Sequence, residues 1–131
     1  MINIRGLKFK VMHFTPDQDD TYDDLDVPMG VIDHGSAEIF IRGDGDIQVQ
    51  QQTFIHEAVH GLTFNEAIVD ESLVNRLGAD IFDFLIRNDL LREGWWDNII
   101  DGQDDERGRQ LTDAIDTIRH MDRTETQPIP R

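Results

Sequence analysis

No cysteine occurs among the 131 residues, so disulfide stapling is excluded and any metal site must be built from His, Asp and Glu. That absence fits a reducing compartment. Long apolar runs are missing too: no stretch approaches the roughly 20 residues needed to span a bilayer. The N-terminal MINIRGLKFKVMHF is too short and too broken by charge for a signal sequence. A cytoplasmic chain with no membrane partner is expected. Basic residues are scarce, 12 Lys and Arg against 27 Asp and Glu, for a formal charge of -15. A surface of that sign repels phosphate backbones, which argues against nucleic acid as a partner, and attracts basic peptides or proteins.

The length suffices for one modest core, so residues 1–122 are read as a single domain followed by a flexible tail, 123–131, that carries Pro128 and Pro130. Ile2, Ile4, Leu7, Phe9 and Val11 alternate as in a half-buried strand over 2–14, with a bulge or bend at Gly6. The aspartate-dense stretch from Pro16 to Asp26 reads as a solvated loop. In MGVIDHGSAEIFIRG two apolar runs flank Asp33, His34, Gly35 and Ser36, the residue types of a tight antiparallel hairpin. Asp46 is placed to cap a helix over Ile47 to Leu62, where Phe54, Ile55, Ala58, Val59 and Leu62 recur at helical spacing. A second helix is expected from an N-cap at Asp70 to about Asn88, with Leu73, Val74, Leu77, Ile81, Phe84 and Leu85 as its apolar stripe. Trp95 and Trp96 should close one edge of the core. Leu111, Ile115 and Ile118 predict a peripheral third helix from about Asp104 to Met121.

Within the first helix, residues 56–60 read HEAVH. His56 and His60 are four residues apart and therefore one turn apart on one face, where two imidazoles reach one tetrahedral ion. Glu57 lies between them along the chain, suited to accept a proton from an attacking water. Phe54, Ile55, Ala58 and Val59 around the motif would draw this helix into the core, so an accidental match would leave two histidines and a glutamate there in need of partners. A catalytic zinc usually takes three protein ligands. Thr63 and Glu66 stand where a metzincin would continue with Gly and His, so that class is rejected. The gluzincin solution, a carboxylate from the next helix, offers Glu66, Asp70 and Glu71. Glu66 falls in the turn and Asp70 serves as the cap, which favours Glu71.

The order of strand, hairpin GVIDHGSAEIFI, helix TFIHEAVHGL and helix DESLVNRLGADIFDFL resembles the small phage and prophage zincins related to ImmA/IrrE-type metallopeptidases, over roughly residues 2–90. The third ligand in that group is a glutamate a few residues ahead of a V-x-x-L-A/G pattern, and Glu71 before Val74, Leu77 and Gly78 matches it. The resemblance implies an α+β fold, a reduced zincin with a small antiparallel sheet packed on the HExxH helix and a second, ligand-bearing helix. By analogy with larger zincins it also makes Ala37 to Ile41 an edge strand for extended substrate. Zn2+ held by His56, His60 and Glu71, with Glu57 as catalytic base, would make the chain a metallopeptidase acting on a protein or peptide, such as a basic protein or a transcriptional regulator. Two rivals differ in class: a zinc-containing phage protein that binds a host partner without proteolysis, and an acidic DNA mimic. Tyr22, His34 or an arginine would be the oxyanion donor, although His34 also reads as a turn residue. Asn75 either orients Glu71 or faces solvent. His13 and His120 read as structural or solvated.

Overall fold

The computed structural model describes residues 1–16, 29–63 and 70–114. The acidic loop after Pro16, Tyr22, Glu66, His120 and the C-terminal tail lie outside them. The first alternating stretch is two strands, β1 (Ile2–Ile4) and β2 (Leu7–Phe14), antiparallel with Ile4 opposite Leu7. Arg5 and Gly6 connect them with φ of 54° and 87°. Positive φ at both central residues is the tight turn whose twist matches paired strands, so the bend expected at Gly6 is a complete hairpin.

The expected second hairpin is present as β3 (Gly30–Asp33) and β4 (Glu38–Arg42), antiparallel across a turn at 34–37. Asp33 organises that turn: its carboxylate accepts from the Ser36 hydroxyl at 2.7 Å, the Gly35 N–H at 3.1 Å and Arg107 at 3.2 Å. The Ser36 bond foremost, against a smaller opposing effect of burial, holds Asp33 below the usual carboxylate range.

The whole sheet is mixed, which corrects the small antiparallel sheet expected. β4 runs parallel to β2, with Val11 opposite Ile39, and β5 (Gly102–Gln103) also joins β2 in parallel. The order is β1-β2-β4-β3. Ile39, Phe40 and Ile41 explain the central place of β4: three consecutive side chains are completely buried, so this strand needs cover on both faces, as interior parallel strands do. The edge role expected for Ala37 to Ile41 is corrected with it. β4 is paired on both sides, and among the described residues β3 is the edge strand beside it.

Helix α1 (Ile47–Leu62) matches its expected bounds, and Asp46 caps it by accepting from the Gln48 N–H at 2.8 Å. Helix α2 (Glu71–Arg87) is capped by Asp70, which accepts from the Ser72 N–H at 3.0 Å. A short α3 (Trp95–Ile99) follows, and a further helix, α4, is described over 105–114. The last of these is the described part of the expected third helix, while α3 was not anticipated. No helix among the described residues is long and apolar enough to cross a membrane.

Helices α1, α2 and α3 cover one face of the sheet, where Phe9, Val11, Ile39, Ile41, Phe54, Ile55, Val59, Val74 and Trp96 share a core. The α2 stripe differs from expectation. Val74 and Gly78 are buried and Leu85 partly so, whereas Leu77, Ile81 and Phe84 are 38, 40 and 58% exposed. The contact centres on the residue without a side chain, which allows the closest approach of two helices. On the other face Phe14, Val31 and Phe40 pack with Met12 and Leu111. There a Cβ on Gly108 of α4 would overlap the buried Phe14 side chain. Gly108→Ala is therefore expected to lose about 1–3 kcal/mol to overpacking, although alanine ordinarily favours a helix interior over glycine. A urea midpoint equal to or above wild type would contradict this packing.

Candidate metal centre

The site forms where α2 begins across the second half of α1. Asp70 stops the chain with an N-cap, so Glu71 is the first helical residue, and Val74 one turn later is buried against the core. That fixes the direction from which Glu71 approaches α1. Its Oε1 lies 2.9 Å from His56 Nε2 and its Oε2 lies 3.0 Å from His60 Nε2. The two Nε2 atoms are 3.1 Å apart. Two nitrogens bound at about 2.0–2.1 Å to a tetrahedral ion are separated by roughly 3.3 Å, so the imidazoles stand close to the spacing that an ion requires. His56, His60 and Glu71 each offer a ligand atom, all within 4.8 Å of one another, and they are the one such group of three among the described residues. The imidazoles are 18 and 19% exposed and the carboxylate 58%, which leaves the cluster open on the Glu71 side. Two neutral imidazoles and one carboxylate are the donor chemistry of a catalytic zinc site, so the residues present fit the group.

Burial lowers the pKa of His60 below its usual 6.5; the Glu71 carboxylate pulls it partly back and His56 lowers it further. His34 is shifted the same way, by burial first, opposed by the Asp33 charge and reinforced by His60. For His60 burial thus favours the neutral imidazole, the form that binds metals. The sign for stability follows. Above pH 6.5 both chain states are neutral at these positions; as the pH falls through 6.5 the unfolded chain takes up protons first, and the metal-free fold loses stability. Melting temperatures of chelator-treated protein should decline from pH 7.5 to 5.5, and less steeply in His60→Ala. An equal slope in the variant would remove His60 as a source of the effect.

The other expected residues are placed as follows. Glu57 is not in the ligand cluster. It is buried, 7% exposed, on the side of α1 that faces β3, where a Cβ on Gly30 would lie 3.3 Å from its Cγ. The structure thus separates the proposed base from the ligands by a rotation about α1 while leaving it adjacent to His56 along the chain. His34 occupies the β3–β4 turn as a turn residue and packs edge-on to Phe9 at 6.4 Å. Asn75 is exposed. His13 is structural, against Trp96 at 5.9 Å, and Trp96 closes the core edge beside Phe54 at 5.8 Å. Sequence reasoning gave little weight to the close glycine contacts, Gly30 against Thr53 and Glu57, and Gly78 against His56. For Gly78 the available signal was a lone glycine inside a helical pattern.

No protein-family model, curated protein or solved structure matches the chain.

Proposed function

We propose that the chain is a zinc-dependent metallopeptidase with a reduced zincin fold, hydrolysing a peptide bond in a protein or peptide partner in the cytoplasm. The observation that carries this reading is the convergence of Glu71, from a separate helix, on the two histidines of HEAVH. His56, His60 and Glu71 would hold the ion, which when bound would supply Lewis acidity toward the scissile carbonyl and toward water. Glu57 takes the proton of the attacking water and delivers it to the leaving amine, acting as base and then as acid. The resemblance to phage and prophage zincins agrees with this assignment. Substrate reaches the site in extended form along β3, whose outer edge has no strand partner among the described residues and whose Gly30 lies beside Glu57. The acidic surface favours basic sequences.

The test is metal analysis of protein purified without chelator, joined to cleavage of a peptide library enriched in Lys and Arg. The expected result is one zinc per chain and cleavage that a chelator stops. Absence of a transition metal, with none taken up from added zinc, overturns the reading. Zinc without cleavage of any peptide would favour the non-proteolytic binding protein instead. A partner whose binding survives loss of HEAVH and weakens steeply with salt would favour the DNA mimic.

A further inference from the structure

Gly78 stands inside α2, two turns after Glu71, where alanine would ordinarily add about 0.5–1 kcal/mol of helix stability. A Cβ at this position would lie 3.2 Å from the His56 Cα and 3.4 Å from the His56 amide nitrogen. Both are backbone atoms of α1, so no side-chain rotation relieves the contact, and the helices must part by a few tenths of an ångström. A close approach of α1 and α2 thus falls on a ligand residue. Seven residues separate Gly78 from Glu71, a rise of about 10 Å along one rigid helix, and Val74 between them is buried in the same core. A displacement at Gly78 is carried to Glu71, whose oxygens now lie 2.9 and 3.0 Å from the two imidazoles. Metal–ligand distances hold within about ±0.2 Å, less than the displacement a methyl group would impose.

We propose that Gly78 is a positioning residue whose bare Cα sets the helix spacing at which Glu71 joins His56 and His60 in one donor set. It acts through α1 and touches neither ion nor substrate, and the assignment rests on the metal reading above. Gly61 provides a contrast: a Cβ there meets the Ile4 and Ile32 side chains at 3.0 to 3.2 Å, and these can rotate without moving α2.

The test measures zinc affinity of the full chain by competition with a chromophoric chelator, for wild type, Gly78→Ala, Gly78→Val and Gly61→Ala. Gly78→Ala should weaken zinc by about tenfold, in the range seen when the groups that orient ligands are altered, with Gly78→Val weaker still and Gly61→Ala close to wild type. Helix propensity alone predicts the opposite order, with alanine at least as good as glycine. Affinity in Gly78→Ala equal to or tighter than wild type overturns the proposal while leaving the metal reading intact. Loss of the far-UV helical signal in Gly78→Ala also overturns it, because a packing role in the whole fold then accounts for the glycine. If wild type itself binds no zinc, the metal reading fails and this role with it.

Discussion

Glu57→Gln is expected to lower peptide hydrolysis by about 10²- to 10⁴-fold, the usual contribution of a positioned acid–base group, while zinc content stays at the wild-type level. The amide keeps the size and polarity of the carboxylate but cannot take a proton. Two observations make the outcome separable. Glu57 is buried against Gly30 on the β3 side of α1, whereas the ligand atoms of His56, His60 and Glu71 gather on another side, so the substitution leaves the donor set as it is. An isosteric change at a buried position also limits the packing cost. Cleavage, metal content and a pH–rate profile would be measured together. The fall should appear in kcat and kcat/KM alike, since proton transfer belongs to the transition state, and the acidic limb of the profile should vanish with the base. Activity within a few-fold of wild type would remove Glu57 from its role. Equal loss of zinc and activity would make it a structural residue.

The parts of the fold governed by local chemistry were legible in the sequence. Asp46 and Asp70 cap their helices as their residue type and position indicate, and the Asp33–Ser36 turn joins β3 to β4 through the side-chain bonds that Asp makes readily. The gathering of His56, His60 and Glu71 was legible for the same reason: helical periodicity alone places His56 beside His60, and a cap at Asp70 makes Glu71 the first helical residue. Tertiary choice was not legible. Alternation in the first strand carries no information on whether β2 meets β3 or β4, and the mixed order depends on burying Ile39, Phe40 and Ile41 together. The α2 stripe was misjudged because Leu73, Val74, Leu77, Ile81, Phe84 and Leu85 spread over more than one face; which face packs was decided by Gly78, through contact with a backbone that periodicity does not describe.

His60→Ala is expected to lower zinc affinity by about two orders of magnitude. Zinc held by a full set of protein ligands contributes on the order of 10–16 kcal/mol; one ligand of three or four accounts for about 3 kcal/mol or more, and each 1.4 kcal/mol is a factor of ten. The geometry makes this removal clean. Among the described residues His60 Nε2 meets the other members of the cluster, Glu71 at 3.0 Å and His56 at 3.1 Å, and its burial disfavours its charged form, so truncation takes no needed ion pair among them from the metal-free fold at neutral pH. The readout is the zinc-dependent part of stability. At free zinc near 100 times its dissociation constant, wild type gains about 2.7 kcal/mol from binding, a rise in Tm on the order of 10 °C for a domain of this size. With affinity a hundredfold weaker, the same zinc concentration adds only about 0.4 kcal/mol to the variant, and its melting curve should barely move. Metal-free melting temperatures should stay close to each other at pH 7.5, which separates loss of a ligand from loss of the fold. A variant that gains as much from zinc as wild type would place any bound metal elsewhere on this acidic chain and sink the His56, His60 and Glu71 assignment.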